Sequence, residues 1–301
     1  MARMAPIVSL LTLLVLLTGC AGAPPAPAQP PPPAGYQDRL ARADRDIAAA
    51  FDAIGRVPDL PTLTRTVLAG AGIVSAAGEQ LATGGPVPPP AAEANNTLVE
   101  ALHRFATELA YLSQQINLHA ICTGSTALSA ITTAPSMPAL RQAAAALAAA
   151  GYQWGDFLPA PLDQVDARPA NGRLMVDRRT GAAGNGALEV SDNADADAVV
   201  ILAGAGRTVL SVAVREGAST RVEGIPDGGY DVYYLTGSDW DDVVGIFGRH
   251  CDFHRFTDPS QFSSQPVAGG TAYTVKSITI QSIGADSPPN ITEVEPDGLP
   301  R

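Results

Sequence analysis

The feature that most constrains this fold is a change in the spacing of apolar residues near Asn171. Before that point, apolar residues recur at three- and four-residue steps, which is the spacing of a core-facing helix side. After it, short runs of branched and aromatic residues alternate with clusters of turn-forming residues, as in antiparallel strands. The chain is therefore expected to be α+β in two domains, with the helices first.

The helical pattern covers residues 36–150 and predicts four helices. The strongest is expected to begin at Thr97, where Thr97 and Glu100 can form a capping box, and to end at Gly124. Its apolar residues are spaced alternately four and three apart: Leu98, Leu102, Phe105, Leu109, Leu112 and Ile116. Short connections between such helices indicate an antiparallel helical bundle.

The strand pattern covers residues 172–286 and predicts an antiparallel β-sandwich of six or more strands. Within it, the segment STRVEGIPDGGYDVYYLTG resembles the strand-turn-strand element of prealbumin-like and carboxypeptidase-regulatory-like sandwiches. Alternation should place Tyr230, Val232 and Tyr234 on one face of their strand. Residues 151–171 are expected to be a linker, and residues 287–301 a flexible tail.

A wider resemblance runs through the region of Trp240, Phe247, Phe253 and Phe256. This stretch is similar to the C-terminal β-domain of actinobacterial secreted proteins, and the helical half around ICTGSTALSAI is similar to the companions of that domain. The resemblance implies a structural module and no particular catalytic residues. Lys276 is the only lysine in an arginine-rich chain, which also favours a high-GC actinobacterial source.

The N-terminus carries a secretory pattern. Its apolar stretch Ile7–Leu17 would cover roughly 16 Å as a helix, which is too short for a hydrocarbon layer of about 30 Å but typical of a signal peptide, here residues 1–19. The following Leu17-Thr18-Gly19-Cys20 resembles the lipobox of bacterial lipoproteins. That resemblance implies a diacylglyceryl group on Cys20; the alternative is a free cysteine after an ordinary signal.

A proline-rich stalk follows Cys20 and extends to Gly35. Proline excludes regular helix and favours extended polyproline II, which would hold the folded part away from the lipid. Two acyl chains suffice for stable anchoring. The predicted location is the extracytoplasmic face of the cell membrane, with the membrane as a partner through Cys20. A net charge of −11 argues against nucleic acid as a partner.

Trp240 lies among three carboxylates, Asp239, Asp241 and Asp242. An aromatic ring among acids can bind a sugar by stacking and hydrogen bonding, and two of the acids could form a general acid-base pair. The alternative is that Trp240 packs in the core while the aspartates cap a neighbouring turn. An exposed Trp240 beside a groove would favour the sugar site, whereas a buried one would favour a scaffold.

Two short motifs resemble metal sites, and we expect neither to bind metal. His250 and His254 could chelate an ion from one face of a helix, but the sequence around them alternates like a strand and would separate them by roughly 13 Å. Asn193, Asp195 and Asp197 match the first ligands of a calcium loop, which then lacks its glycine and its final glutamate. No nucleotide-binding or nucleophile motif is present, so no cofactor is predicted.

Cys122 and Cys251 are the two cysteines left if Cys20 is acylated. An oxidising compartment favours a disulfide, and two cysteines allow one connectivity. The alternatives are two buried free thiols or an intermolecular bond.

These observations predict a lipid-anchored envelope protein that acts without catalysis, as a binding or scaffold module. Its expected partner is another envelope protein or cell-wall glycan. The rival function is an accessory carbohydrate-binding module or weak hydrolase of cell-wall glycan that uses Trp240 and its aspartates.

Overall fold

All α-helices precede all strands in the computed structural model, which describes residues 34–160, 167–179, 184–282 and 290–301. The described residues fall within one compact unit. The predicted signal peptide, Cys20 and the stalk as far as residue 33 lie outside the described residues, whereas Ala34 and Gly35 begin the first helix. The helices are α1 (Ala34–Gly55), α2 (Leu60–Thr83), α3 (Ala92–Asn117), α4 (Gly124–Thr132) and α5 (Met137–Ala149).

Local sequence explains where α2 and α4 begin. Asp59 caps α2 by accepting a hydrogen bond from the Thr62 backbone N–H at 2.8 Å, and Pro61 occupies its first turn. Thr123 and Thr126 form a capping box at the start of α4. The helices pack pairwise, with α2 against α1 and α3, α5 against α3, and α4 against α1.

The prediction for α3 was wrong at both ends. The helix begins at Ala92, so Thr97 lies inside it and its hydroxyl donates to the Glu93 carbonyl at 3.1 Å. It ends at Asn117, and Gly124 begins the additional helix α4. Gly124 is needed there because a Cβ would lie 2.4 Å from the Ile54 carbonyl oxygen of α1. Glycine is typical of helix ends, but at position 124 it is required by the close approach to α1, so its presence alone did not show that a helix ends there.

Twelve strands follow in the described residues. They are β1 (Leu174–Asp177), β2 (Gly186–Asp192), β3 (Asp197–Gly204), β4 (Arg207–Val214), β5 (Ser219–Ile225), β6 (Gly228–Asp241), β7 (Ile246–Phe256), β8 (Ser260–Phe262), β9 (Ser264–Val267), β10 (Gly270–Tyr273), β11 (Val275–Ile280) and β12 (Ile291–Glu293). The largest sheet has seven strands in the order β1-β4-β3-β6-β7-β12, with β8 beside the start of β6. A three-stranded sheet has the order β11-β2-β5, and β9 and β10 form a hairpin.

The sheet region is rich in antiparallel pairs, so the α+β organisation in two parts is confirmed. One pair departs from the prediction, because β11 lies parallel to β2. Strand alternation holds where it was predicted: Tyr230, Val232 and Tyr234 are all buried in one cluster. That cluster also contains Leu188 and Val222 of the smaller sheet, so the two sheets share a core.

The other face of the large sheet packs on the helices. Val199, Leu235 and Phe253 belong to the same hydrophobic cluster as the buried residues of α1 to α5. The helical and β parts therefore share one continuous core. The large sheet is the middle layer, with helices on one face and the small sheet on the other.

The predicted linker is attached to the helices over its first half. Trp154 is buried, and its ring meets Phe157 edge-on at 5.5 Å. Phe157 in turn meets Phe51 of α1 at 5.6 Å, and the Gly155 N–H donates to Asp44 at 2.6 Å. Residues 161–166 lie outside the described residues.

The segment predicted as a flexible tail contains regular structure. Ile291–Glu293 pairs with β7 as β12, and Pro296–Gly298 forms a 3₁₀ turn. Thr208 of β4 donates its hydroxyl hydrogen to the Pro300 carbonyl at 2.7 Å. The prediction rested on polarity and proline content, which do not exclude an edge strand. Residues 283–289 lie outside the described residues.

Among the described helices, α2 alone is long and apolar enough to cross a membrane by length and composition. A core helix meets the same criterion. The regularly spaced apolar side chains of α2, including Leu63, Val67 and Val74, are buried against its neighbours.

Candidate functional site

A cleft lies where the α1–α2 connection faces the large sheet. Its volume is about 770 Å³, within the range of small-molecule sites. Its walls are the α1–α2 connection (Gly55–Leu60), parts of β1, β3 and β4, the β6–β7 turn from Trp240 to Ile246, and the end of the chain from Pro296 to Arg301. We call it the Trp240 cleft.

Trp240 reaches this cleft because the alternation of side chains between the two faces of β6 is interrupted. Pairing between β6 and β7 shifts between Thr236 and Ser238, around Gly237. Leu235 and Trp240 consequently both face the helices, although unbroken alternation would place them on opposite faces. Gly237 has a φ of 155°, and a Cβ there would lie 2.6 Å from Phe247.

The Trp240 side chain is only 8% exposed. Its Nε1 donates to Asp242 at 2.9 Å, and its ring packs edge-on against Phe247 at 5.1 Å. Its backbone N–H donates to the Ala167 carbonyl at 2.8 Å. An indole held in this way forms a wall of the cleft and does not offer an open ring face to a sugar.

Each of the three predicted carboxylates already has protein partners. Asp239 has a positive φ of 61° and lies 3.5 Å from the Arg249 guanidinium. Asp242 accepts the Trp240 indole hydrogen and also lies 3.4 Å from Arg173. These contacts hold the end of β6 in place.

Asp241 connects the β6–β7 turn to the helices. One carboxylate oxygen accepts the Ser125 hydroxyl of α4 at 2.7 Å, and the other accepts the backbone N–H groups of Val243 and Val244 at 2.9 and 3.1 Å. The arrangement caps a turn and joins it to a helix start. No local sequence pattern indicates this contact between Ser125 and Asp241, which are 116 residues apart.

Cys122 and Cys251 lie at the centre of the helix–sheet junction. Their sulfur atoms are bonded, and their Cα atoms are 6.4 Å apart. The chain before α4 is also hydrogen-bonded to β7: the Cys122 N–H donates to the Gly248 carbonyl at 2.8 Å, and the Cys251 N–H to the His119 carbonyl at 3.1 Å. A Cβ at Gly248 would lie 2.4 Å from Thr126, so only glycine permits this approach.

The two histidines of β7 have different environments. His250 is exposed with a φ of 50°, whereas His254 is buried and packs on the Tyr234 ring at 4.9 Å. Burial lowers the pKa of His254. Within the described ranges, no three His, Cys, Asp or Glu side chains converge to hold a metal ion.

The acidic loop after β2 is organised by ion pairing. Asp197 accepts two hydrogen bonds from Arg168, at 2.8 and 2.6 Å, and one from the Glu216 N–H at 3.1 Å. Asp195 is exposed and accepts the Ser282 hydroxyl at 3.2 Å. The carboxylates of Asp195 and Asp197 therefore already accept hydrogen bonds from other groups of the protein.

Asp192 is the buried ionisable residue that sequence reasoning missed. It is fully buried, one oxygen accepts the Ala194 N–H at 2.9 Å, and the other has no partner. Burial raises its pKa to about 6, and the charges of Asp197 and Glu216 add to the effect. Its position was readable, because Leu188, Val190 and Asp192 share one strand face.

The chain matches no protein-family model, no curated protein and no solved structure, so its function has to be argued from its own geometry.

Proposed function

We propose that this protein is a lipid-anchored, extracytoplasmic envelope protein that acts as a binding or scaffold module without catalysis. The observation that supports this most directly is the engagement of Trp240 and its three aspartates. Each is hydrogen-bonded or ion-paired within the β6–β7 turn or to a neighbouring element. A general acid-base pair needs two carboxyls that can exchange a proton with a substrate. Asp239 and Asp241 instead hold the turn, and Asp242, which lines the cleft, accepts the Trp240 indole hydrogen.

The shared core supports a rigid module. The helices and the large sheet contribute to one hydrophobic cluster, and the Cys122–Cys251 bond crosses the junction. The finer interpretation is an antiparallel helical bundle joined to a prealbumin-like sandwich. Both are frequent frameworks for binding surfaces, but a fold alone does not define an activity.

Location is the second part of the proposal. Leu17–Cys20 supplies the lipobox-like motif, and a Cys122–Cys251 bond suits an oxidising compartment. Membrane fractionation and intact-mass measurement test it. Wild type should sediment with membranes and carry acyl mass on Cys20, and Cys20→Ala should lose that mass. A wild-type mature chain that begins elsewhere without acyl mass would contradict the anchor.

Binding at the Trp240 cleft can be tested in intact cells. Val243 lies on its rim and is 95% exposed, so a photo-crosslinking amino acid placed there should reach a bound partner. The matched control is Tyr273 on the β9–β10 hairpin, which is also exposed. A discrete adduct from position 243 but not from position 273 is expected. Equal labelling at both positions would argue against the cleft as the binding surface.

The rival function, glycan binding or weak hydrolysis, has one observation in its favour: Trp240 and Asp242 line a cleft of suitable volume. Soluble cell-wall glycan fragments provide the test. Hydrolysis that is lost in Asp241→Asn and Asp242→Asn, with folding retained, would favour the rival. Binding without turnover would keep the module non-enzymatic.

A further inference from the structure

A short segment of the chain crosses the large sheet beside the Trp240 cleft. We call residues 294–301 the strap. At one end, the Val294 N–H donates to the Phe253 carbonyl of β7 at 3.0 Å. At the other end, the Thr208 hydroxyl of β4 donates to the Pro300 carbonyl at 2.7 Å. Because β6 and β3 lie between β7 and β4 in the sheet, the strap passes over both of them.

The strap lies between the sheet and the helix ends. Val294 and Leu299 pack against the hydrophobic cluster that the helices and the large sheet share. Leu60 and Pro296 line both the Trp240 cleft and a neighbouring opening of about 400 Å³ at the start of α2 and the end of α3. The strap therefore occupies a groove between these helix ends and the sheet, and it is a wall of both openings.

Few contacts hold the strap in this groove. Within the described residues, one further hydrogen bond joins it to the rest of the chain, from the Thr208 N–H to the Arg301 carbonyl at 3.4 Å. None of its residues is fully buried, whereas Val199, Ile201 and Thr208, which line the same cleft, are. Segments with few buried contacts open at a lower free energy than the whole fold. We therefore expect the strap to detach while the sheet stays folded.

The strap also shows which chemistry the groove accepts. Its backbone is extended at Glu295 and Leu299, on either side of a single 3₁₀ turn. It offers the half-buried Leu299 side chain to the apolar wall and a backbone carbonyl to Thr208. Backbone hydrogen bonds together with a place for one apolar side chain are the means by which proteins bind extended peptides.

We propose that the strap is a resident occupant of this groove, and that a partner protein binds there by placing an extended segment with an apolar side chain where Leu299 lies. The inference rests on the function proposed for the Trp240 cleft, and it names the partner as a polypeptide. A segment of the same chain competes at a high effective concentration. The apparent affinity for the partner is therefore lowered to the extent that the strap is closed.

Fluorescence anisotropy with a labelled synthetic peptide tests the proposal. The probe is the strap with its preceding strand, ITEVEPDGLPR, residues 291–301. Every chain carries Cys20→Ala, so that no acyl group on this residue requires detergent. Leu299→Asp should loosen the strap without changing the sheet and helix walls, and should raise the affinity for the peptide about tenfold over the parent. A loosened chain that does not bind the peptide, or a parent that binds it equally well, would overturn the proposal.

Matched variants show whether the peptide binds in the groove. The same peptide carrying Leu299→Asp should bind the loosened chain about tenfold more weakly, because it has no apolar side chain to bury. Adding Thr208→Val to the loosened chain removes the donor to the Pro300 carbonyl and should weaken binding about fivefold. Leu68→Asp, at an exposed position on α2, should behave like the parent. If Leu299→Asp does not fold, Leu299→Ser replaces it. Equal binding in all these combinations would refute the groove.

Hydrogen exchange checks that the strap opens by itself. In the parent chain, the Val294 amide should exchange about a hundredfold faster than the Leu235 amide of β6, because local opening costs less free energy than global unfolding. Equal rates for the two amides would show that the strap leaves only when the whole protein unfolds, and the proposal would then be wrong.

The cross-link at Val243 separates this inference from the proposed function. Peptide binding without an adduct at position 243 in cells would support the groove and contradict the proposed binding surface. An adduct at position 243 without peptide binding would keep the binding surface and overturn the polypeptide partner. A dimer of the parent that Leu299→Asp dissociates, measured by analytical ultracentrifugation, would identify a second copy of the chain as the occupant and overturn the partner protein.

Discussion

The two faces of the large sheet are packed in different ways. The face toward the helices is apolar and is joined to them by the Cys122–Cys251 bond, but it leaves openings, among them the Trp240 cleft and a pocket lined by residues of α3, α4 and β7. The face toward the small sheet is densely apolar, but three of the six buried side-chain atoms without a partner in the described residues lie near it: Asp192 Oδ2, Tyr234 Oη and His254 Nδ1.

The two faces of the large sheet are expected to differ in ligand binding and in their contribution to stability. Helices leave openings at the edges of a sheet, and those openings can accept ligands. Two sheets in direct contact leave less room, so polar groups between them can lose water without gaining a partner. We therefore expect ligand effects on the helix side and stability effects from unpaired polar groups on the other side.

The largest effect should come from removing the bond across the helix side. Cys122→Ser with Cys251→Ser opens a loop with a sequence separation of 129. Chain entropy predicts a loss of about 3–5 kcal/mol in the free energy of unfolding, measured by urea denaturation. Mass spectrometry of the unreduced, alkylated wild type is the control. Two alkylated cysteines at these positions would show that the bond is absent.

The next effect concerns Trp240 as part of the core. Trp240→Ala removes a buried ring and the hydrogen bond to Asp242, so a loss of about 3–5 kcal/mol in unfolding free energy is expected. Tyr273→Ala, at an exposed position on β10, should change it by less than about 0.5 kcal/mol. A Trp240→Ala chain as stable as wild type would reopen the interpretation of Trp240 as a ligand-binding residue.

The buried Asp192, near the small sheet, should make the free energy of unfolding depend on pH. Its pKa is about 6 when folded and 3.8 without burial, so the folded state holds the proton more tightly. The stabilising effect is fully present below pH 3.8 and is lost as the pH rises through 6, about 3 kcal/mol in all. The difference in unfolding free energy between Asp192→Asn and wild type should therefore increase by about 2 kcal/mol from pH 4 to pH 7, which is the larger part of that total. Asp195→Asn, at an exposed position, is the control for removing a carboxylate from this part of the chain.

The smallest predicted effect is the change in the free energy of unfolding when a buried tyrosine hydroxyl is removed, with or without a hydrogen-bond partner. Tyr234→Phe removes a hydroxyl without a partner, so the free energy of unfolding should rise by up to about 1 kcal/mol. Tyr36→Phe in the helical part removes a hydroxyl that donates to Asn95 at 3.0 Å and should lower it by about 1 kcal/mol. Thermal melts of the two variants check the opposite signs. The same sign for both would undo the contrast between the two faces.

Several parts of the fold were predictable from short-range pattern. The order of helices before strands follows from the change of period near Asn171, and the buried face of β6 follows from alternation at Tyr230, Val232 and Tyr234. Asp192 could have been found by the same alternation. The start of α3 was wrong because a capping-box pattern at Thr97 also fits a helix interior.

The candidate site was less predictable than the elements that carry it. Sequence grouped Trp240 with its aspartates correctly as neighbours along the chain. It did not reveal that the pairing shift at Gly237 turns Trp240 toward the helices, or that Asp241 receives a hydrogen bond from Ser125. A bulge changes which face a side chain occupies without changing the local composition.

By itself, the sequence determined the α+β order of this protein and the faces of its regular strands, because period and alternation are local properties. Tertiary structure alone decided that Gly124 starts a helix and that β11 lies parallel to β2. The cysteine count favoured a Cys122–Cys251 bond, but only the structure shows that this bond lies between the helices and the large sheet. The physical reason is the same in each case. These features depend on contacts between residues far apart in the chain, and no local pattern records which distant surface a residue will meet.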